Sequence, residues 1–160
     1  MTGIRGFAHL VGADSILLNL EAASKDDLLA ALAVAAAGMT GLAATTILER
    51  VREREALGST GFGQGAAIPH ARVPGLAAVT VVAARLTAGV HYGAIDDEPV
   101  DVAALLLSPD GAGADHLKAL ASISRVLRDP TALAAIRAAT SVQALRGAIG
   151  QQRVTSKKAA

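Results

Sequence analysis

The sequence predicts an α/β protein: a single three-layer domain in which a mixed β-sheet is flanked by helices on both faces. Short aliphatic runs of strand character alternate with longer, capped segments of helical character. One run, VDVAALLL from Val100 to Leu107, is almost wholly apolar, as a strand buried on both faces at the centre of a sheet would be. The composition agrees, with 52% hydrophobic residues but only 2% aromatic, so the core is built from Ala, Val, Ile and Leu packed in thin layers. A chain of 160 residues can bury one such core and is too short for two ordinary domains.

The elements follow in order. Residues 1–13 read as a flexible N-terminal segment, residues 14–150 as the domain, and residues 151–160, QQRVTSKKAA, as a frayed tail. Ser15 to Leu20, SILLNL, is a first strand. Ser24 is a helix cap with Asp27 three positions on, opening a helix to about Ala37, where Gly38 supplies the stop. A second helix covers Ala43 to Leu57, with Ile47, Val51 and Arg54 at helical spacing and Gly58 at the C-terminal cap position. Ala66 to Ile68 is a brief strand, Ala77 to Leu86 a longer one, and Val100 to Leu107 the central one. After the turn Pro109-Asp110-Gly111 come helices from Ala114 to Leu127, after Asp129-Pro130, and from about Ser141.

Composition narrows the function. Fifteen Lys and Arg stand against fourteen Asp and Glu, with no basic block beyond the weak tail Arg153 to Lys158, which argues against a nucleic-acid surface. With no cysteine, thiol nucleophiles, thiolate metal sites and disulfides are all excluded, and His, Ser, Asp and Glu must carry any chemistry. The N-terminus lacks the apolar run of a secretory signal. The apolar stretch LLAALAVAAA is well short of the ~20 residues that span a bilayer. A cytoplasmic protein without an integral membrane segment is expected.

The stretch LGSTGFGQGAAIPH, Leu57 to His70, carries the most chemistry. It has no Lys-Ser/Thr for a P-loop, and it follows a helix where a dinucleotide fingerprint precedes one, so neither nucleotide reading holds. Two readings of the glycines remain: a connection that needs positive φ, or a backbone that brings N–H groups to an anion. Pro69 stiffens the chain before His70, and an imidazole so presented fits a nucleophile or an anion partner. Asp96, Asp97 and Glu98 precede Pro99 as a solvated turn, and no metal is expected. His9 and His91 belong to no motif.

The run REALGSTGFGQGAAIPHAR resembles the phosphorylation-site segment of enzyme IIA domains of the bacterial phosphotransferase system, in the type 2 (fructose, mannitol and nitrogen-regulatory) superfamily. The resemblance continues through AIDDEPVD and ADHLKALASISRVLRD and covers about Asp14 to Ile149. It implies a phosphocarrier in which His70 accepts a phosphoryl group at Nε2 from a phosphorylated, HPr-type carrier protein, without a cofactor. It implies that His116 hydrogen-bonds the phosphoryl group, though the residue alone reads as a polar position in a helix's first turn. Arg54 matches an arginine that counters phosphate charge, though a solvated helix face would also hold it. Ser59, Thr60, Gly61, Gly63 and Gly65 are the expected phosphate-binding residues, the two hydroxyls being able equally to cap the loop.

Two positions depart from the family pattern. Ala71 replaces the usual glycine after the active histidine, and Phe62 replaces a small aliphatic residue. The AIDDEPVD segment and the GST loop look most like the nitrogen-regulatory branch, in which phosphorylation state is read by target proteins. The alternatives are a free-standing fructose- or mannitol-type IIA that passes phosphate to a IIB domain, and a partner-binding module that is never phosphorylated.

Overall fold

The computed structural model describes residues 6–150. In chain order the elements are β1 (Ile16–Leu20), α1 (Lys25–Thr40), α2 (Ala44–Ala56), β2 (Gly61–Gly63), β3 (Ala66–Ala67), β4 (His70–Arg72), β5 (Thr80–Val90), β6 (Val100–Ser108), α3 (Gly113–Leu127), α4 (Pro130–Ala138) and α5 (Val142–Gly150). The sheet runs β1-β5-β6-β3-β2, with β4 also paired to β6. It is mixed: β1 and β5 are parallel, β5 and β6 antiparallel, and β3 and β4 both parallel to β6.

Because alternate strand residues point to opposite faces, β5 and β6 feed two cores. Val81, Ala83, Val102, Ala104 and Leu106 pack with α3, α4 and α5. Val82, Ala84, Ala103, Leu105 and Leu107 pack with α1 and α2. The sheet is therefore covered on both sides, which is why VDVAALLL shows no polar alternation. Alanines pair at the centre, Ala83 with Ala104 and Ala84 with Ala103, and their small side chains make the layers thin.

Ser24 caps α1 as expected, its Oγ accepting from Asp27 N at 3.1 Å. The helix does not stop at Gly38, however. It runs to Thr40 and ends on Gly41 at φ 79, whose N–H returns to Ala37 O at 2.9 Å. The left-handed conformation is what the cap requires, and Gly41 adopts it; Gly38 is an ordinary helical residue. β5 outruns the expected Leu86, reaching Val90 after an irregularity in its pairing with β6.

The N-terminal segment is also different from expectation. Residues 6–13 pack against the domain: Phe7 is fully buried, its N–H donates to Ile149 O at 3.0 Å, and Arg146 donates to Val11 O and Ala8 O. One large ring inserted under α5 explains this, in a chain that has few rings to spend. Residues 1–5 and the expected frayed tail, 151–160, lie outside the described residues.

Candidate functional site

A strand with an interruption presents His70. β3 and β4 are successive pieces along one edge of β6, pairing Ala66 with Val102, Ala67 with Ala103 and then His70 with Leu106. Between them the chain detours: Ile68 N–H turns away to Thr60 O at 3.1 Å, and Pro69, which has no N–H, contributes only its carbonyl, to Leu106 N at 3.0 Å. The detour leaves Ile68 O available, and His70 Nδ1 lies 2.8 Å from it. A carbonyl can only accept, so Nδ1 carries the proton and Nε2 keeps its lone pair. Burial holds the His70 pKa below the ordinary histidine value; the Ile68 contact opposes this, and nearby Arg54 reinforces it. His70 is thus a neutral imidazole with a free Nε2, half-buried on the α3 side of the sheet.

His116 arrives from the first turn of α3. Only 5% exposed, it sets its ring centroid 5.6 Å from that of His70, with the ring planes 55° apart. Burial lowers its pKa as well, with Arg72 and His70 adding to the effect. Arg54, in the last turn of α2, donates from Nη1 to Gly58 O at 2.9 Å.

Two clefts open beside His70. One, of about 350 Å³, is lined by Arg50, Glu53, Arg54, Leu57, Ala71, Arg72 and His116. The other, of about 230 Å³, is lined by Arg54, Ser59, Thr60, Phe62, Ile68, Leu120, Ser124 and Arg128. The structure therefore brings His70, His116, Arg54 and Ser59 together. It adds Arg50, Arg72 and Arg128, which the sequence reading missed. Arg72 and Arg50 could have been found, since a residue two positions from His70 in a strand, or four before Arg54 in a helix, shares its face; Arg128, just past the end of α3, carries no such signal.

The glycines divide. Gln64 at φ 61 and Gly65 at φ 80 form a two-residue hairpin turn between β2 and β3, with Gly63 at φ 113 before it. Positive φ at both turn positions is what a twisted hairpin demands, so these glycines serve the turn. Gly65 lies against Arg137 and Asp101, and Gly63 against Asp96, at the opposite end of the β3–β4 edge from His70. The expected phosphate-binding role of Gly63 and Gly65 thus gives way to a turn. Gly61 answers a close approach, since a Cβ there would lie 2.9 Å from the Tyr92 ring, and its N–H is held by Ser59 Oγ at 3.1 Å. The Thr60 hydroxyl is engaged by Glu55 and Tyr92, whereas Ser59 is exposed and keeps its hydroxyl proton for the cleft.

Glu55 is the anchor that the sequence did not disclose. Its carboxylate, 5% exposed, accepts from Lys25 Nζ at 2.8 Å, Thr60 N at 3.2 Å and Tyr92 OH at 3.0 Å. Burial first, then the adjacent Glu55 charge, raises the Tyr92 pKa, so the phenol stays a donor. Within ERVRERE nothing marks Glu55 from its neighbours, and two of its partners, Lys25 and Tyr92, are distant in sequence.

The two departures are accommodated. Ala71 lies in β4, is not among the residues of positive φ and packs into the α1–α2 core, so its methyl group is unstrained. Phe62 packs at the edge of the other core under the Arg128 guanidinium, 4.5 Å from the ring centre. Asp96 accepts from Gln64 N and Glu98 N, which is the work of a turn residue. His91 is exposed, and His9 lines a separate cleft with Asp115 and Lys118.

A neutral histidine with a bare Nε2, a second histidine beside it and four arginines around them, gathered at one edge of the sheet, form an arrangement that can accommodate an anion at an imidazole. Residues 9–151 match the family described as "Phosphoenolpyruvate-dependent sugar phosphotransferase system, EIIA 2", and the chain belongs to that family. It is 43% identical over 136 residues to a nitrogen regulatory protein of Bradyrhizobium diazoefficiens, covering 85% of this chain and 89% of that one. The crystal structure of nitrogen regulatory protein IIA-Ntr from Neisseria meningitidis superposes with a TM-score of 0.85 at 28% identity, over 89% of this chain and 98% of that one. IIA mannitol from Escherichia coli shares the fold, with a TM-score of 0.74 at 20% identity over 87% and 98% of the two chains.

Proposed function

We propose that the chain is a phosphocarrier whose His70 Nε2 accepts a phosphoryl group from a phosphorylated HPr-type protein, and that the phosphorylation state is its output as a nitrogen-regulatory IIA protein. The observation that carries the first half is the Nδ1 contact to Ile68 O, which leaves Nε2 free for attack. The lone pair attacks phosphorus, the donor's P–N bond breaks with its electrons returning to the donor nitrogen, and no proton has to move. The ring becomes formally cationic while Nδ1–H stays on Ile68 O, and the carbonyl dipole opposes that charge. Arg54 and His116 face the phosphoryl oxygens, where phosphoryl transfer needs charge stabilisation most.

The regulatory half is supported by the relatives named nitrogen regulatory protein. A phosphoryl group brings nearly two negative charges to a mouth lined by four arginines and Glu53, and so weakens its attraction for an acidic partner. Among the described residues no helix is long and apolar enough to cross a membrane. The test is a pull-down with phosphorylated and unphosphorylated protein beside a transfer assay against the host's IIB domains. A regulator yields a partner that discriminates the two states and loses phosphate slowly. Rapid loss to one IIB, with no discriminating partner, assigns the chain to sugar uptake.

A further inference from the structure

Ser108 ends β6, is fully buried, and sets its Oγ 2.7 Å from His116 Nδ1. Its backbone is otherwise engaged, its carbonyl accepting from Val73 N at 2.9 Å. Nothing in the sequence reading or the family resemblance singles it out. We infer that Ser108 is a positioning residue, whose hydroxyl donates to His116 Nδ1 and so fixes the proton of His116 on Nε2, the nitrogen that must donate to the phosphoryl group.

The direction of that hydrogen bond follows from counting donors and acceptors. Two arrangements give the same 2.7 Å contact. If His116 Nδ1–H donated to Oγ, the serine proton would need another acceptor, and among the described residues Nδ1 is the partner that the hydroxyl has. A buried hydroxyl without an acceptor is costly, whereas one that donates to an imidazole lone pair is satisfied. The donating arrangement leaves His116 neutral with Nε2–H.

Two neighbouring histidines then carry opposite tautomers, each set by its second partner. His70 faces a carbonyl, which can only accept, so its proton is on Nδ1 and its Nε2 is a nucleophile. His116 faces a hydroxyl, which here donates, so its proton is on Nε2 and that nitrogen is a donor. Both rings line one cleft, with centroids 5.6 Å apart. With the opposite tautomer, His116 would turn a lone pair toward the phosphoryl oxygens and repel them.

The functional consequence rests on the phosphocarrier reading, but the tautomer does not. The test begins with imidazole nitrogen NMR on the full, unphosphorylated chain near neutral pH. His116 is expected as the Nε2–H tautomer and His70 as Nδ1–H; Nδ1–H at His116 in the native protein overturns the inference even if no Ser108 variant folds. In Ser108→Ala the His116 signals should move to a mixture of tautomers. Phosphoryl uptake from a phosphorylated HPr-type donor should slow about tenfold, the worth of one well-placed hydrogen bond. In a His116→Ala background the same Ser108→Ala change should alter uptake by less than about twofold. An equal loss in both backgrounds, or an unchanged tautomer in Ser108→Ala, overturns the inference. If neither native protein nor variants take up phosphate, the phosphocarrier reading fails, and the nitrogen spectra still decide the role of Ser108.

Discussion

At the residue scale, the proposed reactivity of His70 rests on one carbonyl freed by one proline-bearing detour. His70→Ala is expected to abolish phosphate incorporation while its circular dichroism and melting remain those of a folded domain. His116→Ala should still be labelled, but more slowly; a lost preorganised donor costs ~2.7–4 kcal/mol in the transition state, about 10²–10³ in rate. The depressed pKa values of both histidines give a pH prediction. In the unfolded chain histidine titrates near ~6.5. As pH falls below that value the unfolded chain takes up protons first, so the stability due to these two side chains is present above it and is lost as pH falls toward their folded pKa values. Urea unfolding at neutral and mildly acidic pH should show this loss, and it should be smaller in His116→Ala. Phosphate uptake should hold steady down to the same region, because the reactive imidazole is already neutral.

At the scale of elements, the Ser59–Phe62 segment and the last turn of α2 line the cleft beside His70, while the β2–β3 turn lies away from it. Gly65→Ala places a Cβ at φ +80 and 2.5 Å from the Arg137 guanidinium. It should cost ~1–3 kcal/mol in unfolding experiments while leaving His70 competent to be labelled, since the turn lies away from the imidazole. Glu55→Ala strands the Thr60 N–H and leaves the Thr60 and Tyr92 hydroxyls only each other, a loss of ~1–3 kcal/mol, and should also slow labelling by freeing the Ser59 loop. These elements show what the sequence disclosed and what it did not. α1, α2, β6 and α3 were legible because caps, helical spacing and an unbroken apolar run are local signals. β2 and β4 were not, because three-residue strands are defined by their partners on β3 and β6 and not by their own pattern. The motif marked His70, His116, Arg54 and Ser59. It also suggested phosphate contacts for Gly63 and Gly65, because glycine spacing cannot distinguish an anion cradle from a tight hairpin turn.

At the scale of the molecule, the three layers were legible from composition and order, while the packing of residues 6–13 was not, since nothing near Phe7 in sequence says that it docks under α5. Phe7→Ala should destabilise the domain by ~3–5 kcal/mol, the cost of emptying a fully buried aromatic site, readable as a lowered urea midpoint. In the proposed role, a rigid sheet edge offers one imidazole nitrogen of His70 to a phosphoryl donor and withholds the other. The most direct measurement is phosphorus NMR with tryptic mapping, after incubating the chain with phosphoenolpyruvate and the general phosphotransferase proteins. The prediction is one acid-labile phosphate per chain, on Nε2 of His70. A phosphate on Nδ1, on any other residue, or no incorporation from a donor shown to be active on another IIA, would contradict it.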